Sequence, residues 1–174
     1  FILANAGSQS TDGYEFDLVM SPTDYIDLAI SGLFMDPIYD SFPNSSSGDL
    51  TGTMPSNISE NTISSTITWN LNVNNWDGYL RLSHLYASEA KLLENPVWQA
   101  TLENVGNGLK AQDTINFSAG IEKDNLSITI WGKNINNDKY LISAFPAVAD
   151  PTFTTFFGYP NAYSSYGATL NYRF

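Results

Sequence analysis

A chain of 174 residues with 43% hydrophobic and 14% aromatic content is too apolar to stay disordered and long enough for one folded unit. Seven basic against eighteen acidic residues give a formal charge of −11, which repels a phosphate backbone and excludes nucleic acid as a partner. The lack of cysteine excludes a disulfide framework, a thiolate nucleophile and a Cys-ligated zinc site. No run approaches the roughly 18 apolar residues of a membrane-spanning helix, so any membrane span must be a strand.

In chain order, Phe1-Ile2-Leu3-Ala4-Asn5 has no basic leader and no small-residue cleavage site, and reads as the end of a strand whose beginning is missing. Tyr14, Phe16, Leu18 and Met20 then alternate with Glu15 and Asp17, and Ile26, Leu28 and Ile30 with Asp27, Ala29 and Ser31. Over Thr62 to Val73, Ile63, Ile67, Trp69, Leu71 and Val73 oppose Ser64, Thr66, Thr68, Asn70 and Asn72. Gly78 to Glu89 is less regular, with Leu80, Leu82 and Tyr86 on a face that also holds His84. Ile115, Phe117, Ala119 and Ile121 alternate with polar or small residues, as do Leu126, Ile128 and Ile130 with Ser127, Thr129 and Trp131. The last segment sets Tyr166, Ala168, Leu170, Tyr172 and Phe174 against Ser165, Gly167, Thr169, Asn171 and Arg173. Counting the first stub, the pattern predicts about eight strands and no helix.

The connections select among all-β architectures. Ser21-Pro22-Thr23-Asp24, Asn74-Asn75-Trp76-Asp77 and Lys123-Asp124-Asn125 are tight turns by composition, whereas residues 40–59, 90–112 and 137–162 are long polar loops. Short and long connections alternate strictly, as in an outer-membrane barrel with short periplasmic turns and long outer loops. On that topology Tyr25, Trp69, Trp76, Tyr79, Tyr172 and Phe174 fall near the periplasmic rim, and Tyr14, Phe34, Tyr86, Tyr140, Tyr163 and Tyr166 near the outer rim. The expected fold is therefore all-β, an antiparallel up-and-down transmembrane β-barrel.

Three stretches carry a family resemblance. Gly13-Tyr14-Glu15-Phe16-Asp17-Leu18 followed by Tyr25-Ile26-Asp27-Leu28 resembles paired late strands of TonB-dependent receptors. Trp131-Gly132-Lys133-Asn134-Ile135-Asn136-Asn137-Asp138-Lys139-Tyr140 is similar to that family's penultimate strand, and the segment from Tyr166 to Phe174 to its terminal strand. The alternating terminal strand is shared by most outer-membrane proteins, so the Asn134 to Tyr140 element is the more discriminating. The family often has an arginine just before the last strand, and Pro160-Asn161-Ala162-Tyr163 has none. The resemblance implies that residues 1–174 are the C-terminal part of a larger barrel of about 22 strands with a plug in its lumen. Plug and earlier strands are absent here. It further implies energised uptake of a scarce nutrient such as an iron-siderophore, vitamin or glycan at the Gram-negative outer membrane. The partners implied are outer-membrane lipid, the TonB complex through the missing N-terminal region, the barrel-assembly machinery and a nutrient such as a metal chelate.

Bond-making chemistry finds no support, and no cofactor or metal site is expected. The only histidine, His84, sits among leucines, and Asp36, Asp40, Asp49 and Asp150 lack the spacing of a calcium loop. Glu15, Asp17, Asp27, Arg81, Lys133 and Arg173 are expected on the lumen face, where they pair with a plug, line a wet channel or simply keep the wall polar. Trp98, Phe153, Phe156, Phe157 and Tyr159 are aromatics in outer loops, which either bind ligand or pack loop against loop. Tyr166, Leu170, Tyr172 and Phe174 form the terminal signal that, by resemblance, the assembly machinery reads. The rival to a receptor is a complete eight-stranded barrel with a structural or adhesive role, expected to join residues 1–6 to 165–174 in one ladder.

Overall fold

The structure, a computed structural model, describes residues 7–147, 149–150, 152 and 154–174. Among the described residues, nine strands and one helix follow in order: β1 (Ser8–Thr23), β2 (Ile26–Ser41), β3 (Asn61–Val73), β4 (Trp76–Ala87), α1 (Pro96–Asn104), β5 (Gln112–Lys123), β6 (Leu126–Lys133), β7 (Leu141–Pro146), β8 (Phe156–Pro160) and β9 (Ser165–Tyr172). Seven of the strands make one antiparallel sheet in the order β1-β2-β3-β4-β5-β6-β9, while β7 and β8 pair separately.

The turns explain the register. β3 and β4 are joined by Asn74 and Asn75 alone, both with positive φ (53° and 63°), the conformation that matches the twist of a two-residue hairpin and that asparagine tolerates. Trp76 and Asp77, expected in that turn, instead begin β4. The first hairpin likewise turns only at Asp24 and Tyr25. β1 continues through Ser21 and Pro22, where the pairing slips between Met20 and Thr23; a bulge accommodates the proline, which has no N–H to give the ladder. Pro37 is tolerated for a similar reason. Beyond Phe34 the outer edge of β2 meets a loop, through Met35 N–H to the Glu60 carbonyl and Tyr39 N–H to the Thr53 carbonyl, and no donor is required between them.

Side chains directly opposite in an antiparallel ladder share a face. Reading across the sheet, Met20, Leu28, Ile67, Leu82, Phe117, Gly132 and Tyr166 form one row, and Ile121, Ile128 and Leu170 lie in another on the same face. Ile63, Leu71, Ile115 and Tyr172 share their parity, so the eight apolar residues expected together are together. Ser64, Thr66, Asn70, Asn116, Thr129 and Asn171 lie on the opposite face, also as expected. Tyr79 belongs to that polar face too, opposite Asn70 and Gly120, and so is not part of an aromatic belt on the apolar side.

Among the described residues no second sheet covers the apolar face, and Leu82, Ile130 and Leu170 are 45%, 49% and 67% exposed. A sandwich would bury them. The sheet is also open. β1 and β9 are its two edges with no ladder between them, and residues 1–6, which the eight-stranded rival would use for closure, lie outside the described residues.

Two elements were not expected. The 90–112 loop contains α1, whose start is fixed by Asn95: its side chain accepts from the N–H groups of Val97 and Trp98, and Pro96 takes the first helical position, where no N–H is needed. The 137–162 loop contains the β7–β8 hairpin.

Candidate functional site

The polar face carries most of the charged residues predicted to line a lumen. Register places Glu15 opposite Leu33, Asp17 opposite Ser31, Asp27 opposite Thr68, Arg81 between Thr68 and Ser118, and Lys133 opposite Ser165. Arg173 lies just past β9, its N–H donated to the Asn125 carbonyl at 3.0 Å. The acids lie on β1 and β2, the bases on β4, β6 and beyond β9. Asp27 accepts from Ser21 Oγ at 2.6 Å and from Asn70 Nδ2 at 2.7 Å. Arg81 donates from Nε to Thr68 Oγ1 at 3.1 Å and sets its guanidinium 5.6 Å from the Tyr79 ring centre; Lys133 Nζ lies equally far from that of Trp131. The two rings lie over Gly120 and Gly167 of neighbouring strands, where any Cβ would run into them. Two ion pairs occur among the described residues, His84 with Asp113 and Lys110 with Asp138, and none of the six lumen candidates takes part.

The aromatic rims give the sheet an orientation. The row through Tyr166 meets β1 at Met20, six residues from Tyr14, after six strand spacings. With ~3.3 Å per residue and ~4.8 Å between strands, a rim through Tyr14 and Tyr166 implies strands tilted about 35°. At the other end the row through Trp69 reaches β9 at Ala168, four residues short of Tyr172 after four spacings, the same slope. This is the tilt that closed barrels require.

The long loops make a packed cap. Leu93, Leu102 and Ala144 form its buried centre, with Leu92, Trp98, Leu141 and Phe156 against them, so α1 rests on one side of the β7–β8 hairpin. Gln99, only 4% exposed, ties the cap together: its Oε1 accepts from the N–H groups of Leu92 and Leu93, and its Nε2 donates to Glu103 Oε1 and the Gly108 carbonyl. Gln99→Ala strands the buried Leu93 N–H and Gly108 carbonyl, at about 1–3 kcal/mol each. Its expected result is amide exchange that accelerates across residues 92–108 while the β3–β4 ladder is unchanged.

A second knot gathers the Asn134 to Tyr140 element. Asn134, with φ 49°, is buried; its Nδ2 donates to the carbonyls of Asp138 and Ala162, and its Oδ1 accepts from Asp138 N–H. Asn161 joins it by accepting from Tyr140 N–H and donating to the Asp138 carbonyl. Asp138 accepts from Lys110 Nζ at 2.6 Å and from Asp113 N–H at 2.8 Å. Burial pushes the Asp138 carboxyl up, but the bonds from Lys110 and from the Asp113 and Lys139 N–H groups outweigh it and hold the carboxyl below its ordinary value. A depressed carboxyl stabilises the fold above the unfolded pKa, and that contribution is lost as pH falls through the folded value. Cleavage of these loops by an acid-active protease is expected to step up as pH drops below about 4. In Asp138→Asn the loops should be cleavable at every pH, without the step.

The predicted ligand aromatics are divided. Trp98 and Phe156 pack into the cap. Phe157 and Tyr159 stay more than half exposed on the other side of the hairpin, where Phe145 joins them with ring centres 5.4 Å and 5.8 Å away. Phe153 lies outside the described residues. Phe145 was not expected in this group; it is brought there by its pairing across the hairpin to Phe157. In the terminal strand, Tyr166, Leu170 and Tyr172 all point to the apolar side, and Phe174 is fully exposed with its ring 5.2 Å from that of Tyr172.

No protein-family model matches the chain, and no curated protein matches it by sequence. Among solved structures it is similar to the ferric yersiniabactin uptake receptor FyuA from Yersinia pestis, with a TM-score of 0.77 and 13% identity over 98% of this chain and 24% of that chain. The chain thus spans about a quarter of that receptor's length. At this identity the likeness establishes the fold alone: the chain has the architecture of a section of that receptor's β-barrel.

Proposed function

We propose that this chain is the C-terminal wall and outer-loop section of a TonB-dependent receptor in the Gram-negative outer membrane, acting in energised uptake of a scarce nutrient. One observation carries the reading: a single sheet with an uncovered apolar face, a polar face and alternating short and long connections. An exposed apolar surface of this extent is at home against lipid, and strands left open at both edges call for further strands to satisfy their backbone groups. The acids of β1 and β2 and the bases of β4 and β6 then face the lumen and a plug from the missing N-terminal region, which also engages the TonB complex. No residue in this reading makes or breaks a bond in the nutrient.

Ligand contact is assigned to the outer hairpin face of Phe145, Phe157 and Tyr159. Trp98 and Phe156 hold that face in place from beneath. The test is uptake by cells that depend on the full-length protein, offered labelled iron chelates, cobalamin and oligosaccharides in turn. One of these is expected to accumulate only when the protein and TonB are both present. Phe157→Ala with Tyr159→Ala should weaken binding of that nutrient at unchanged surface level. TonB-independent accumulation of every probe, or recovery of the protein outside the outer membrane, overturns the proposal.

A further inference from the structure

On the apolar face the strands β4 and β5 leave a depression where Gly78 offers no side chain and Ala119 only a methyl, between Leu71, Trp76, Ile121 and Ile128. It encloses about 500 Å³ and is lined almost wholly by carbon. A second cavity of about 290 Å³ shares Trp76 with it at the β5–β6 turn and is mixed in character: Lys123, Asp124 and Asn125 line it together with Leu126 and Tyr172. Lys123 lies opposite Leu126 and so is on the apolar face, with Nζ 5.8 Å from the centre of the Trp76 ring. Asp124 is exposed beside it in the turn, with a left-handed backbone at φ 53°. Neither forms an ion pair among the described residues.

An apolar trough with a cation and an anion beside one end matches an amphiphile with the same order of parts. We infer that this face holds one aminophospholipid: an acyl chain over Gly78 and Ala119, the phosphate at Lys123 and the ammonium at Asp124. The inference rests on the membrane reading above. The headgroup is specified by chemistry, since a carboxylate accepts hydrogen bonds from a primary ammonium but not from a quaternary one, and a glycerol headgroup has no cation for Asp124. The occupied site lies in the leaflet next to the short turns, and the bound lipid fills a notch that a rigid sheet cannot close by itself.

The test uses the full-length protein in detergent micelles, with native mass spectrometry to count retained lipid. Phosphatidylethanolamine, phosphatidylcholine and phosphatidylglycerol of identical acyl chains are the probes. Retention of one phosphatidylethanolamine above the other two is expected. Lys123→Gln and Asp124→Asn should each lower that retention about tenfold, the scale of one charge-assisted contact, and Asp124→Asn should erase the preference. Ala119→Leu fills the trough and should lower retention of all three lipids. If Ala119→Leu fails to fold, the two turn variants still decide, because both are at the sheet's margin and asparagine tolerates the left-handed position. Equal retention of the three headgroups, or retention unchanged in the turn variants, overturns the inference while a protein that inserts into vesicles leaves the membrane reading standing. A protein that does not insert into vesicles at all overturns both.

Discussion

Deleting Phe174 is expected to lower the amount of full-length protein in the outer membrane several-fold while leaving the stability of what does assemble within about 0.5 kcal/mol. The ladder between β6 and β9 ends at Tyr172, and among the described aromatics Phe174 has its ring against Tyr172 alone, with the rest in the open. A side chain so exposed contributes little to the folded state. Its alternation with Leu170 and Tyr172 on the apolar side is what the resemblance to outer-membrane terminal strands assigns to recognition by the assembly machinery. Heat-modifiable mobility on gels separates the two effects, since it reports the folded fraction and its melting separately. Normal membrane levels without Phe174 would remove the assembly role, and a large drop in melting temperature would move that role to stability.

The second large effect is a charge on the wrong face. Leu82 sits in the middle of the apolar side, in the row from Met20 to Tyr166, and Ser83 next to it points to the polar side opposite Thr66 and Asn116. In a bilayer, Leu82→Arg is expected to cost about 2–4 kcal/mol, the penalty for a cation at the midplane of a barrel wall. Ser83→Arg places the same charge one residue away, where water and Asn116 can solvate it. Its cost is confined to the bond Thr66 Oγ1 donates to Ser83 Oγ at 3.1 Å, about 1 kcal/mol. Denaturant unfolding of the full-length protein from vesicles measures both. Equal costs would mean that the two faces see the same solvent, which is incompatible with a membrane wall.

The sequence by itself determined the two-faced strands and their order, because the period of a strand is two and the faces here meet different solvents. From Ile63 to Val73 and from Tyr166 to Phe174 a slip of one residue would exchange every side chain, so the pattern admits one register. The strict alternation of short and long connections was equally local, since Asn74-Asn75 and Asp124-Asn125 carry their turns in their own residue types. Where a residue's role depends on what lies across from it, the chain order was not enough. Pro22 reads as a turn until the bulge on β1 shows how a residue without an N–H can be carried inside a strand. The 90–112 segment reads as a polar loop because α1 is short and its apolar residues matter only against Leu141, Ala144 and Phe156, which arrive about forty to sixty residues later. The same holds for the candidate site: Trp98 and Phe157 are alike as loop aromatics, and tertiary packing alone put one into the cap and left the other beside Phe145 and Tyr159. Lys123 and Gly78 gave no signal in the chain because they are forty-five residues apart. Only the ladders from β4 to β6 bring the notch and the charge to one end of one face, since neighbouring strands stand about 4.8 Å apart whatever their separation in sequence.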